Sequence, residues 1–522
     1  MEVSLSFCFV VLSTLLAIWL LKLFVSGGNT KPEKSLKPPG PWTLPIIGSL
    51  HHLISTLPHH KIRELSRRHG PVMSIKLGEV PVVVVSSAEA AELVLKTNDP
   101  LFGSRPSSPT MEIATRGGKG IVLAPYGERW RQVRKVCTVE LLSAKQVKRM
   151  EGIRTKELGN LLRFITESSR DDATINVSDK VASLTNHLVT VGVFGGKFTR
   201  QDEYLHELDK TMELISGFAL LDLFPSWWLL RWISNSERHV RRSCRRLEGM
   251  VADIINERKA VRSASYSARS TDDEDLLDVL LRLQEEDSLA FTLTTEIIGA
   301  VLSDIFGAAT HTTSSVLEWT MSELVNHPEA MSRAQLEVRK VLGEGRSVIN
   351  NFDLAEIPFI RMVIKETLRM HPPAPLLPRL TREDSKIMGY DLLEGTNVCI
   401  NVFAISRDPK YWENPEEFKP ERFENSNKDY YGTHFDFTPF GAGRRQCPGI
   451  QFSSSVMEVI LANLLYHFDW MLPDGASIDM SEKFGLAVGK KHALKLKAIP
   501  YPRARARFLD RDAGMLLGVR RR

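Results

Sequence analysis

A cysteine, Cys447, lies near the end of the run Phe440-Gly441-Ala442-Gly443-Arg444-Arg445-Gln446-Cys447-Pro448-Gly449, and the apolar helical pattern Gln451 to Leu464 follows it. Glycines let a backbone approach a bulky group closely. A cysteine just ahead of a helix meets backbone N–H groups and the positive end of the dipole, which favour thiolate, the form that binds iron. A lone cysteine at such a junction is more often structural, but the ten-residue setting points to a ligand. Three other constellations carry charge. Glu366 and Arg369, spaced i, i+3, project from one helix face, where Arg422 of Pro420-Glu421-Arg422-Phe423 can complete a triad. Trp130 and Arg134, four apart, place an indole N–H and a guanidinium side by side, a pair suited to carboxylates. His311 and Thr312, within Gly307-Ala308-Ala309-Thr310-His311-Thr312-Thr313, offer an imidazole and a hydroxyl for moving protons.

Helices must position these groups. Helical periodicity predicts helices over Asp278 to Glu286, Thr294 to Asn326, Pro328 to Leu342 and Ile360 to Met370. Strand-like runs are few: Val72 to Lys76, Val80 to Val85, a piece near Val398 to Asn401 and one at the C-terminus. The expected fold is mainly α with a small β-sheet region. With 522 residues, 43% hydrophobic and 25% charged, the chain can bury a large core, and without repeats or long linkers it reads as one catalytic domain, 49–502.

The net charge of +5 is small for this length, and no basic stripe interleaves with aromatics, which argues against nucleic acid as a partner. Five scattered cysteines, Cys8, Cys137, Cys244, Cys399 and Cys447, form no C-x-x-C pair, which argues against a disulfide framework and a structural zinc site. Residues 3–25 are apolar and long enough to cross a hydrocarbon core of about 30 Å as one transmembrane anchor. A signal peptide is the rival, but Glu2 stands where lysines are usual and no A-x-A-like site follows. Lys22, Lys31, Lys34 and Lys37 on its C-terminal side place the catalytic domain in the cytosol. Prolines stiffen the hinge 31–48, and a basic tail occupies 503–522.

Phe440, Gly443, Arg445, Cys447 and Gly449 satisfy F-x-x-G-x-R-x-C-x-G, and the chain resembles the cytochrome P450 superfamily from the hinge to about Pro500. Trp130-x-x-x-Arg134, Glu366-x-x-Arg369 and Pro420-Glu421-Arg422-Phe423 appear in the family's order, and the type resembles plant microsomal monooxygenases, among them grass diterpenoid oxidases. The resemblance implies the P450 fold, haem b with Cys447 on iron, and Trp130, Arg134, Arg445, Arg105 and Arg379 around the propionates. It implies that Glu366, Arg369 and Arg422 lock the haem-side core and that Thr312 delivers protons to dioxygen. Two departures stand out: Ala309 replaces a usual glycine and His311 a usual carboxylate. His311 either relays protons itself or points into a salt-bridge or water network.

The resemblance further implies an NADPH-cytochrome P450 reductase as partner, the endoplasmic reticulum membrane as location, and a lipophilic small-molecule substrate. The pocket is expected from Phe306, Ala308, Ala374, Leu376 and Leu486. The aromatic run Phe224 to Trp232 suits a membrane interface, with core packing as its rival. Two other functions fit the same scaffold. One is rearrangement or dehydration of an oxygenated lipid without NADPH; the other is non-catalytic haem or lipid binding.

Overall fold

The computed structural model describes residues 13–14 and 36–502, apart from 55–56, 216–218, 229, 231–233 and 265–273. The expected anchor, apart from residues 13–14, and the basic tail lie outside the described residues. Among the described residues no helix is long and apolar enough to cross a membrane.

Helices dominate, and eight of them serve the site: α1 Pro58–His69, α2 Glu128–Glu140, α3 Val177–Phe194, α4 Gln201–Leu214, α5 Ser236–Ala264, α6 Thr295–Asn326, α7 Pro358–Met370 and α8 Ile450–His467. The axis of the body is α6, whose 32 residues extend about 48 Å at 1.5 Å per residue. Thr294 caps it by accepting from Ile297 N–H at 3.3 Å, which satisfies one of its free donors. Apolar residues on every face, from Ile298 and Leu302 to Leu317 and Leu324, let it pass through the core against α3, α5, α7 and α8.

The small sheet lies to one side. β1 (Val72–Leu77) and β2 (Val80–Val85) form a hairpin, and β2 runs parallel to the edge of a second antiparallel pair, β3 (Leu376–Leu380) and β4 (Asn397–Asn401), giving the order β1-β2-β4-β3. The described part of the hinge is docked on this sheet. Ser74 N–H donates to Pro39 O at 2.7 Å, and a Cβ on Gly40 would come within 1.9 Å of Ser74 O. Glycine is obligatory there because the two backbones are in contact.

Candidate active site

The Cys447 loop is held before the side chains are considered. Cys447 N–H donates to Phe440 O at 2.9 Å, and Arg444 gives Asp99 both its backbone N–H (3.0 Å) and its Nη1 (2.9 Å). Gly443 sits at φ +68°, and a Cβ there would lie 2.1 Å from Leu95 O. No other residue fits both demands. The loop presents the Cys447 thiol to an internal cavity of about 270 Å³. Burial raises the thiol's pKa, against opposing pulls from Gly449 N–H and the Arg134 charge. The helix junction does favour thiolate, as its sequence setting implies, but within the bare protein desolvation is the larger effect.

Four arginines converge on the same cavity: Arg105, Arg134, Arg379 and Arg445. Arg379 comes in on β3, where alternation sends Leu377 and Arg379 to the buried face. Arg445 is fastened by carbonyls, with Nε on Gly103 O at 2.7 Å and Nη2 on Ala124 O at 2.5 Å. Arg134 donates to Gln446 O, and Arg105 to Pro378 O at 2.5 Å. Burial first, and then mutual repulsion, push Arg445 down to about 9, Arg105 down to about 10 and Arg379 far below its usual range. Arg379 Nε and Nη2 and Arg105 Nε are buried without a hydrogen-bond partner. Unpaired cationic donors around a thiol fit a metal macrocycle carrying carboxylates, and haem has both features.

Trp130 behaves differently from its expected role. Its indole N–H donates to Ile121 O at 2.9 Å, and its ring lies beneath Arg445 and Arg134, with guanidinium carbons 4.1 and 5.3 Å from the ring centroid. It supports the arginines as a π-platform instead of offering a donor to the cavity.

Opposite Cys447, α6 presents Asp304, Ala308 and Thr312, each one turn from the last, with Ala309 and Thr313 beside them. Thr312 Oγ1 donates to Ala308 O at 2.9 Å, keeping its lone pairs available to the cavity. His311, one residue and about 100° around the helix, is absent from the wall; its Nε2 lies 2.9 Å from Asp209 Oδ1 of α4. Of the two readings open for His311, the structure takes the salt-bridge arrangement, and the relay role is corrected. Phe306 is corrected as well: it faces away from the cavity and packs on Phe194 and Tyr204, ring centroids 5.6 and 5.4 Å apart. Leu376 is the third correction, because β3 parity turns it onto the cluster of Leu53, Ile62 and Leu65 while Leu377 takes its place. Ala374 and Ala308 line the cavity, and Leu486 lines an adjoining chamber of 120 Å³ that shares Val122, Asp304 and Ala308 with it.

Asp304 was not among the expected site residues. Its Oδ2 accepts from Ile121 N–H at 2.7 Å and Val122 N–H at 2.9 Å, so it pins the covering loop to α6. Burial raises its pKa against those two bonds. Spacing of four and eight residues from Ala308 and Thr312 is the sequence signal that marks it.

Below the cavity the Glu366–Arg369–Arg422 triad is complete. Arg369 donates to Glu366 twice at 2.8 Å, and Arg422 Nε donates to Glu366 at 2.9 Å. Remaining guanidinium donors reach backbone carbonyls of Ser406, Pro415 and Glu417, tying the 406–422 segment to α7.

A family model described as cytochrome P450 matches residues 38–497. The chain is 44% identical over 503 residues to the ent-isokaurene C2/C3-hydroxylase of Oryza sativa subsp. japonica, covering 94% of this chain and 97% of that one. It is also 44% identical to the desmethyl-deoxy-podophyllotoxin synthase of Sinopodophyllum hexandrum, covering 93% and 96%. A solved zebrafish cytochrome P450 with abiraterone superposes with a TM-score of 0.71 at 23% identity, over 85% of this chain and all of that one, a likeness of fold.

Proposed function

This chain belongs to the cytochrome P450 family, and from that premise we propose that its substrate is a terpenoid, with a diterpene hydrocarbon as the first candidate. It is a haem b monooxygenase acting on lipophilic small molecules. Haem, when bound, supplies the activation of dioxygen and the insertion of one oxygen atom.

The observation that supports the substrate reading is the wall of the cavity, where Ile121, Val122, Ala308, Ala374, Leu377 and Val316 give an apolar surface. A hydrocarbon skeleton loses nothing by entering such a wall, whereas a polyhydroxylated one would leave its donors unpaired. The rice relative's name states hydroxylation of ent-isokaurene, which is such a hydrocarbon.

Each side chain has a proposed part. Cys447 holds the iron, and Arg105, Arg134, Arg379 and Arg445 hold the carboxylates, with Trp130 behind them. Phe440, Gly443 and Gly449 shape the loop. Thr312 Oγ1 carries protons into the cavity, and the Glu366–Arg369–Arg422 triad keeps the floor rigid. Electrons come from an NADPH-cytochrome P450 reductase, docked near Lys135 and Arg444. An apolar segment at 3–25 anchors the chain in the endoplasmic reticulum membrane with the catalytic domain in the cytosol. Trp227 and Trp228, 38% and 66% exposed, suit contact with that membrane.

Product analysis tests this reading: the full chain is co-expressed with a plant reductase and given a panel of diterpene hydrocarbons with and without NADPH. An NADPH-dependent product heavier by oxygen is expected. No product, despite a reduced carbon-monoxide spectrum of thiolate-bound haem, would overturn the diterpene assignment.

A further inference from the structure

Two further cavities connect the active cavity with the surface. The chamber of 120 Å³ shares Val122, Asp304 and Ala308 with the active cavity, and it shares Arg116, Cys244 and Glu248 with an outer vestibule of about 480 Å³. The vestibule reaches solvent, because Glu112, Arg241, Arg245 and Glu296 around it are exposed. The two spaces differ in character. Leu208, Met212, Ile215 and Leu247 give the chamber apolar walls, whereas three arginines and four glutamates are among the described residues around the vestibule.

Arg116 stands at the junction. It follows the helix Pro109–Ala114 and reaches both long helices: its Nε lies 3.2 Å from Glu248 Oε1 of α5, and its Nη1 donates to Glu296 O of α6 at 3.3 Å. A Cβ on Gly299 would come within 2.9 Å of Arg116 Nη1, so the guanidinium lies in the gap that a glycine leaves in the face of α6. The Arg116 side chain is 11% exposed and that of Glu248 40%. An ion pair with one partner so open to water contributes little and parts readily. The backbone at this point is strained. Arg116 holds φ +54°, in the left-handed region, and Gly117 and Gly118 follow at +69° and +73°. Such strain gathers where a segment switches between arrangements, and the two glycines give the loop a hinge.

We propose that Arg116 is a gate: paired with Glu248 it closes the way between the active cavity and solvent, and released it opens a channel for water and for the oxygenated product. Polarity decides what uses it. A lipophilic substrate gains nothing from a passage lined by charged groups, whereas the hydroxyl that the reaction adds finds acceptors in the vestibule's carboxylates. The role rests on the oxygen-inserting activity of the family and is independent of which skeleton is oxidised.

Imidazole, a small polar ligand for iron, tests the gate by stopped-flow mixing with the ferric, haem-loaded full chain. A gate alters how fast a ligand passes and leaves its affinity alone, because the barrier falls equally in both directions. Arg116→Ala, and Glu248→Gln as an independent break of the pair from α5, should each raise the association and dissociation rates of imidazole about fivefold with Kd unchanged. Haem content confirms that both variants fold. N-decylimidazole, which offers iron the same ring on an apolar chain, should bind at its wild-type rate. Cys244, on the wall of both outer spaces, gives a second readout. Burial pushes its thiol up to about 11, the Glu248 charge adds to that, and the Arg116 charge opposes it. Loss of Arg116 alone would therefore slow alkylation of Cys244 by iodoacetamide, whereas an open gate hastens it, and mass spectrometry of Arg116→Ala should show the faster reaction. Unchanged imidazole rates, a changed Kd in place of changed rates, an equal acceleration of N-decylimidazole, or slower alkylation of Cys244 overturns the proposal.

Discussion

Arg369 and Arg379 are both almost completely buried, at 0% and 1% exposure, yet their surroundings are opposite. Arg369 shares Glu366 with Arg422 and spends its other donors on carbonyls, so its charge is compensated within the chain. Arg379 faces three more arginines, keeps two nitrogens without partners, and is pushed far below its usual pKa. The first arrangement needs nothing more and acts as structure. The second is an expense for the fold, and we read it as the place for the anionic end of a ligand.

The largest effect should come from breaking the compensated site. Glu366→Gln leaves Arg369 and Arg422 facing a neutral amide in a buried place, and loss of one partner of a buried pair costs about 3–5 kcal/mol. Thermal unfolding and haem content check it, and a fall in both is expected. Arg379→Met should split the two readouts: the haem-free chain becomes more stable, because an unpaired buried charge is gone, while haem binds about 10–100-fold more weakly for the loss of one or two charge-assisted bonds. Chemical denaturation of the haem-free protein and haem-transfer kinetics measure these separately.

A milder probe is pH. Arg445 titrates at about 9 in the bare chain, and an anion beside it raises that value in the complex. A group whose pKa is higher in the complex favours binding fully below the lower value and loses that contribution as pH rises through the two. Haem affinity should therefore be level from pH 7 to about 8 and weaken above 9, as read by equilibrium titration.

The smallest effect calibrates the others. His311 and Asp209 form a pair 39% and 58% exposed, and such pairs contribute about 0–1 kcal/mol. His311→Ala should leave product formation near the wild-type level, whereas Thr312→Ala should lower product formed per NADPH consumed, in coupled assays of the two variants side by side.

The compensated triad and the cysteine loop were legible in the sequence because their chemistry is written in short local spacings, i, i+3 or a ten-residue run. Helix limits were legible for a similar reason: Pro328–Leu342 matches its pattern at both ends, with Pro328 at the start and Gly343 just past the end. What stayed hidden depends on which way a side chain faces. Leu376 and Leu377 differ by one step of a period-two strand, and Phe306 and Ala308 by two steps of a helix that is apolar on every side. Neither pattern says which face meets the cavity. Trp130 was read as a donor because an indole N–H must go somewhere, and the partner, Ile121 O, comes from a loop whose path no local pattern specifies.

Reconstitution of the haem-free protein with haem and with haem dimethyl ester, which lacks both negative charges, tests most directly whether the unpaired arginines await an anion. The account predicts that the wild type binds the ester at least about 100-fold more weakly than haem and that Arg379→Met shows a much smaller difference. Equal affinity of the wild type for haem and its ester would contradict it.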